Sequence, residues 1–253
     1  MEIKNQAVII TGGASGMGAA TAKMLSAAGA KVAIFDLNLA AAQKLATEIN
    51  GIAVACNVTD SDSVINAVAS AAESHGPARI CINCAGIARA RRIINKTGPM
   101  PLDEFRNVIE INLLGSFNLM RIAANAMQNL PLTGTEERGV IINTASVAAY
   151  EGQIGQAAYS ASKGAIVSMT LPAARELAQF GIRVMTIAPG LVDTPMLADI
   201  PAEARAALVE NVPFPHRLVK PVEYAQLAKH IIENPMLNGE VIRLDGGLRM
   251  QAR

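Results

Sequence analysis

The chain has 253 residues, of which 51% are hydrophobic and 17% charged, with 22 Lys and Arg against 21 Asp and Glu. That near balance leaves no global field to draw in a nucleic acid or a membrane surface, so any charge recognition has to be local. So much apolar side chain is more than a monomer of this size readily hides, which points to a homo-oligomer. No apolar run approaches the roughly 18 residues that a membrane span requires. Only about six residues precede the first apolar strand, too few for a signal peptide, and the expected location is cytoplasmic. The length suits a single α/β domain spanning residues 1–253.

In chain order, the first strand is "QAVIIT", and it runs into "TGGASGMG" and a helix over Ala19–Ala28. Glycine at 12, 16 and 18 permits a tight turn, close backbone approach to a pyrophosphate and helix-on-strand packing. The helix N-terminus supplies free N–H donors. By itself such a turn is as well explained by backbone geometry alone. The second strand, "KVAIF", ends at Asp36, roughly 20 residues beyond the glycines, where a carboxylate accepts the hydroxyls of an adenosine ribose and repels a 2′-phosphate. Ser15 and Leu37, at positions suited to a phosphate-binding cation, are uncharged. NAD is therefore expected over NADP. The competing reading is that Asp36 or Asn38 caps the next helix, Leu39–Ile49.

The third strand, "IAVAC", leads to Asn57 and Val58, and a helix follows over Ser61–Ser74. The fourth, "ARICI", carries the spelling "CINC" of redox and zinc sites, Cys81 and Cys84. Residues three apart on a strand point to opposite faces, so no metal is expected there. A polar insertion carrying Arg89, Arg91, Arg92 and Lys96 spans residues 88–101 before a helix over Leu102–Met127. After a Gly/Thr-rich surface loop, Leu130–Arg138, the strand "GVIINTA" stops just before Ser146.

The next helix, Ala157–Gln179, holds Tyr159 and Lys163. Four residues apart, they stack on one face. A phenol that titrates near pH ~10 is a poor base at neutrality, but an adjacent ammonium and a bound cationic nicotinamide both favour the phenolate. Their small neighbours Ala157, Ala158, Ser160, Ala161, Ser162 and Gly164 are expected to clear space for the cofactor. The chain closes with "IRVMTIA", a long connection over 189–221 with a short helix near Ala202–Glu210, a helix over Val222–Glu233 and the strand "GEVIRL". Continuous apolar strands alternating with helices mean a parallel sheet covered on both faces, doubly wound by right-handed crossovers.

Together these residues resemble the short-chain dehydrogenase/reductase family. T-G-x-x-x-G-x-G stands at Thr11–Gly18, "NCAG" at Asn83–Gly86, Asn112 in the long helix, then Ser146, the Tyr159/Lys163 pair, and "PG" at Pro189 and Gly190. The resemblance implies a single-domain Rossmann fold whose seven-stranded sheet has the order 3-2-1-4-5-6-7. It also implies a tetrad of Asn112, Ser146, Tyr159 and Lys163. In that scheme Tyr159 exchanges the proton, Ser146 orients the substrate oxygen, Lys163 lowers the phenol pKa and holds the nicotinamide ribose, and Asn112 positions a water. Met17 joins the glycine turn, Asn83, Ala85 and Gly86 line the adenosine side, and Val192 and Thr194 fix the carboxamide. Asn57 departs from the family's usual aspartate, leaving Val58 for the adenine.

The stretch from Gly139 to Leu191, "VPFPHRL" and the C-terminal "NGEVIRLDGGLRM" resemble the family's 3-hydroxyacyl-CoA dehydrogenases. That implies an acyl-CoA substrate and a homotetramer, with coenzyme A meeting the basic insertion. The acyl chain would lie under a lid over 189–221, around Met196, Leu197, Ile200, Leu208 and Phe214, beside Gln153 and Gln156. The alternatives are the same chemistry on a steroid or other secondary alcohol, and a non-catalytic scaffold such as an RNA-processing subunit.

Overall fold

The structure is a computed structural model that describes residues 1–197 and 208–252, and the side chain of Met196 is outside that description. Its strands are β1 (Ala7–Thr11), β2 (Lys31–Asp36), β3 (Ile52–Ala55), β4 (Ile80–Asn83), β5 (Ile94–Asn95), β6 (Gly98–Pro99), β7 (Gly139–Thr144), β8 (Ile182–Pro189) and β9 (Val241–Leu244). Its helices are α1 (Gly16–Ala27), α2 (Leu39–Glu48), α3 (Ser61–His75), α4 (Leu102–Ile109), α5 (Gly115–Met127), α6 (Ala157–Ala178) and α7 (Pro221–Glu233).

Among the described residues, seven strands form one parallel sheet in the order β3-β2-β1-β4-β7-β8-β9. This is the expected doubly wound order, with β5 and β6 set apart as a two-residue antiparallel hairpin inside the basic insertion. Successive side chains of β1 explain why the strands read as unbroken apolar runs. Val8 and Ile10 pack under α1, α2 and α7 with Ile34, Ile82 and Ile142, whereas Ala7 and Ile9 pack under α3, α5 and α6 with Phe35, Cys81 and Ile141. Both faces of the sheet are core, so neither face needs polar residues.

Local chemistry sets the helix ends. Asn38 Oδ1 accepts from Ala41 N at 3.1 Å and so caps α2, and Asp60 Oδ1 accepts from Asp62 N and Ser63 N to cap α3. Helix α1 begins at Gly16 rather than Ala19, because the last glycines of the turn already form its first turn. The long helix expected over Leu102–Met127 is interrupted by a π-helical turn, Glu110–Leu114, which carries Asn112. Such turns are rare and concentrate at functional sites.

The loop over 130–138 is more than surface: Glu137 is buried, and its Oε2 accepts from Arg183 Nε at 2.7 Å. The short helix expected near Ala202–Glu210 lies largely outside the described residues, as does Ile200. Among the described residues, no helix is long and apolar enough to cross a membrane.

Candidate active site

The carboxyl ends of the parallel strands open onto a cleft of about 510 Å³ lined by Ser15, Met17, Asp36, Leu37, Asn57 and Val58 together with the glycine turn. Ligands of open α/β sheets bind at this end. Gly12 has φ +59°, and a Cβ there would lie 2.8 Å from the backbone N and Cα of Ala85. A Cβ on Gly18 would run into the carbonyl oxygen of Gly12. These two positions leave the turn bare of side chains, so backbone donors at the start of α1 face the cleft.

Asp36 ends β2 at the rim. Its Oδ2 accepts from Ala14 N at 3.0 Å and its Oδ1 from Asn38 N at 2.9 Å. Asn38 does the capping of α2, which separates the two roles that the sequence left open. Asn57 lines the cleft, yet its Oδ1 accepts from Thr59 N and Thr59 Oγ1 and so ties a local turn. Ala85 and Gly86 also line it. Asn83 does not. It is buried behind the cleft, where its Nδ2 donates to Asn143 Oδ1 at 2.8 Å and Ser116 O at 3.2 Å, bracing β4 against β7 and α5.

Met17, Cys84, Gly86, Ile87 and Thr194 are shared with a second cavity of about 150 Å³, so the two form one groove. Ser146, Tyr159, Lys163, Gln156, Pro189, Gly190, Val192, Thr194 and Leu197 line the second cavity. Three of the four tetrad side chains thus meet in one place. Ser146 follows β7 and caps a short 3-10 turn, Val147–Ala149, by accepting from Ala148 N at 3.1 Å.

Tyr159 and Lys163 come from the first turns of α6, with Lys163 Nζ 5.9 Å from the centre of the Tyr159 ring. The ammonium donates to the Thr144 carbonyl oxygen at 2.7 Å, and burial lowers its pKa to about 8. Burial pushes the Tyr159 phenol up, offset in part by a side-chain hydrogen bond with Ser146. Here the ammonium is engaged with Thr144, and removal from water outweighs the hydroxyl beside the phenol.

The fourth tetrad member acts as a clamp. Asn112 is fully buried; its Oδ1 accepts from Ile87 N at 2.8 Å, and its Nδ2 donates to Ile87 O and Ser162 Oγ, both at 3.0 Å. A Cβ on Gly86 would lie 3.1 Å from Asn112 Oδ1 and 3.6 Å from Lys163 Nζ, so the clamp fixes the segment beside the lysine.

Several expectations change. Ala158 and Ser162 are buried, and Ser162 Oγ donates to Tyr159 O and accepts from Asn112, so at least these small residues serve helix packing rather than opening a face for a cofactor. Gln153 lines an adjoining surface cavity rather than the catalytic one, and its Nε2 donates to Gln251 O. Phe214 is 78% exposed, away from the catalytic cavity. Cys81 and Cys84 pack on opposite faces of the sheet, as strand geometry requires.

Some participants carried no signal in the sequence. The backbone oxygen of Thr144 holds Lys163, and Thr144 Oγ1 lies 2.7 Å from the hydroxyl of the buried Tyr224 on α7. Met250, near the C-terminus, completes the wall of the catalytic cavity.

The family model for short chain dehydrogenase matches residues 6–205. The chain is 51% identical over 254 aligned positions to the 3-hydroxyacyl-CoA dehydrogenase type-2 of Homo sapiens, covering 98% of this chain and 97% of that one. A crystal structure of 3-hydroxyacyl-CoA dehydrogenase type-2 from Mycobacterium avium superposes with a TM-score of 0.94 at 38% identity, covering 100% of both chains. A 3-ketoacyl-(acyl-carrier-protein) reductase from Brucella melitensis, complexed with NADH, gives 0.86 at 30% identity, covering 98% of this chain and 100% of that one. With the glycine turn, Ser146, Tyr159 and Lys163 gathered along one groove, this chain belongs to the short-chain dehydrogenase family.

Proposed function

We propose that the protein is an NAD-dependent dehydrogenase that interconverts 3-hydroxyacyl-CoA and 3-oxoacyl-CoA. The observation that carries this reading is the meeting of Ser146, Tyr159 and Lys163 in a cavity continuous with the cleft rimmed by Asp36. The cleft fits NAD. Glycine at 12 and 18 leaves a cradle that side chains would fill, backbone N–H groups at the start of α1 suit a pyrophosphate, and Asp36 suits an unphosphorylated ribose. Val192 and Thr194 would hold the carboxamide end of NAD, which would supply the hydride acceptor.

The residues of the chain handle the proton. Ser146 Oγ holds the substrate oxygen, and Tyr159 Oη takes the hydroxyl proton during oxidation and returns it during reduction. Burial keeps the phenol protonated in the free protein, which suits it to donate in reduction. In oxidation, the Ser146 hydrogen bond and nearby positive charge favour the phenolate. Lys163 would supply that charge and hold the ribose, while Asn112 keeps Ile87 and Gly86 in place beside it.

A second surface cavity of about 580 Å³, lined by Arg91, Arg92 and Gln153, shares Ala148 and Gln156 with the catalytic cavity. It supports passage of coenzyme A from the reacting carbon to the basic insertion. Arg91 Nη1 is partnered at 3.4 Å by Glu104 of α4, which leaves Arg92 as the more available phosphate donor. The same reading takes the assembly to be a homotetramer. Apolar side chain left in solvent supports it, with Phe117 on α5 46% exposed and Leu171 on α6 44%. Light scattering in solution tests it.

Tyr159→Phe tests the mechanism. Turnover of acetoacetyl-CoA with NADH should fall on the order of 10²–10⁴-fold, and near-normal turnover would overturn the assignment. A panel of CoA thioesters, steroids and simple secondary alcohols tests the substrate class; a steroid turned over best would replace it.

A further inference from the structure

We infer that Met250 forms the end wall of the acyl site and sets the length of acyl chain the enzyme accepts. The inference rests on the acyl-CoA reading above. Among the described residues lining the catalytic cavity, Met250 alone comes from beyond Leu197. Its presence there depends on a fold-back of the chain after β9. Gly246 and Gly247 both have positive φ, 64° and 81°, and turn the strand back on itself. Leu248 is then buried against Val147 and Val212, with Leu191 and Met250 at the edge of the same cluster. Gly190 allows this closeness: a Cβ there would lie 2.9 Å from Asp245 Cβ and 3.6 Å from Leu248 Cδ2.

The fold-back is fastened at one hub. Arg243 on β9 donates through Nη1 and Nη2 to the two carboxylate oxygens of Glu151, each at 2.8 Å, through Nε to Asp245 Oδ2 at 2.7 Å, and through Nη2 to Leu248 O at 2.9 Å. Further along, Ile154 N donates to Ala252 O at 2.9 Å and Gln153 Nε2 to Gln251 O at 3.2 Å. The segment that carries Met250 is therefore tied to the loop 150–156, which leads directly into Tyr159. A paired arginine and carboxylate with a fixed fork holds a segment in register far better than a lone contact does.

The placement gives Met250 a substrate-facing task. Met17 and Thr194 lie toward the cofactor cleft, and Ala148 and Gln156 lead to the cavity of Arg91 and Arg92. The rest of the lining is mostly apolar and includes Val147, Leu191, Leu197 and Met250, where the hydrocarbon end of a 3-oxoacyl group would go. Methionine is unbranched and adapts its shape, so it closes the wall without one fixed outline. Each methylene that gains a buried place contributes roughly a fourfold gain in affinity. A shortened side chain at 250 that admits two more methylenes should change selectivity by about tenfold.

The experiment measures kcat and KM with NADH for acetoacetyl-CoA and 3-oxodecanoyl-CoA. In Met250→Ala the ratio of kcat/KM for the long over the short chain should rise about tenfold, and in Met250→Phe it should fall by a similar factor. The change should sit mainly in KM of the long substrate rather than in its kcat. Arg243→Lys, which loses the paired hydrogen bonds to Glu151, should shift the ratio in the same direction as Met250→Ala, as a positioning residue does. Ratios within twofold of wild type in both Met250 variants, with wild-type activity intact, overturn this inference and leave the acyl-CoA reading standing. A wild type that reduces neither thioester overturns both.

Discussion

Lys163 Nζ donates to the carbonyl oxygen of Thr144 at 2.7 Å, which ties the ammonium of α6 to the carboxyl end of β7. Burial there lowers its pKa from 10.5 to about 8. The unfolded chain keeps this proton up to the higher value and the folded chain loses it from the lower one. Between the two, the unfolded state binds more protons, so stability rises with pH. Lys163→Met should remove that slope. Across the window the ligand-free wild type should gain about 3 kcal/mol relative to the variant. Denaturant midpoints at several pH values check this, and parallel curves for the two proteins would rule it out.

Asn112 satisfies the N–H and the C=O of Ile87 with one side chain, and Ser162 with the remaining donor. Asn112→Ala leaves the N–H and C=O of the partly buried Ile87 without that partner, whereas Ser162 keeps its bond to Tyr159 O, at a cost of about 1–3 kcal/mol. Because the freed segment includes Gly86, next to Lys163, kcat should fall along with stability. Urea midpoints and steady-state kinetics separate the outcomes. Lost activity with an unchanged midpoint would make Asn112 a participant in proton transfer rather than a clamp.

At Gly12 and Gly164 the same substitution should have opposite results. A Cβ on Gly12 meets the Ala85 backbone at 2.8 Å in a left-handed conformation, so Gly12→Ala must push Ala85 from the floor of the cleft. A tenfold or greater rise in KM for NADH and a loss of about 1–3 kcal/mol should follow. On Gly164, within α6, a Cβ meets only Ala149 O, at 4.0 Å. Gly164→Ala should keep activity and gain up to about 1 kcal/mol from helix propensity. Lost cofactor affinity in Gly164→Ala would restore the idea that the small residues around Tyr159 clear space for the cofactor.

The same contrast marks what could be read from the sequence. The doubly wound parallel sheet and the shared face of Tyr159 and Lys163 are legible because apolar period and the i, i+4 pair are local patterns with single geometric consequences, whereas the strand order and the place of Ser146 follow from the family resemblance. The destination of Asn83 is not legible, because a buried asparagine at a strand end can face a ligand or a neighbouring strand, and Asn143 on β7 takes it. The rise in the Tyr159 pKa is not legible in the sequence because it comes from burial of the phenol in the folded chain. The resemblance implies an acyl site beside Phe214 and Gln153, but side-chain direction in a connection follows no period. Met250 was missed for a related reason: its position depends on the Glu151–Arg243 pair, which spans 92 residues.

Asp36 and Leu37 should decide between the two nicotinamide dinucleotides. Both carboxylate oxygens of Asp36 accept backbone N–H groups, from Ala14 and Asn38, which fixes the carboxylate at the rim and leaves lone pairs for ribose hydroxyls. Leu37 is 74% exposed beside it, where an arginine could reach a 2′-phosphate without burying its charge. In Asp36→Ala/Leu37→Arg, kcat/KM for NADH should fall ten- to a hundredfold, the worth of charge-assisted hydrogen bonds of about 1.5–3 kcal/mol, and that for NADPH should rise by a similar factor. Asp36→Ala alone should also lower the melting temperature, since Ala14 N loses its acceptor. Initial rates with both cofactors on one substrate give the ratio. A double variant that still prefers NADH would mean that Asp36 secures the glycine turn and that cofactor choice is made elsewhere in the cleft.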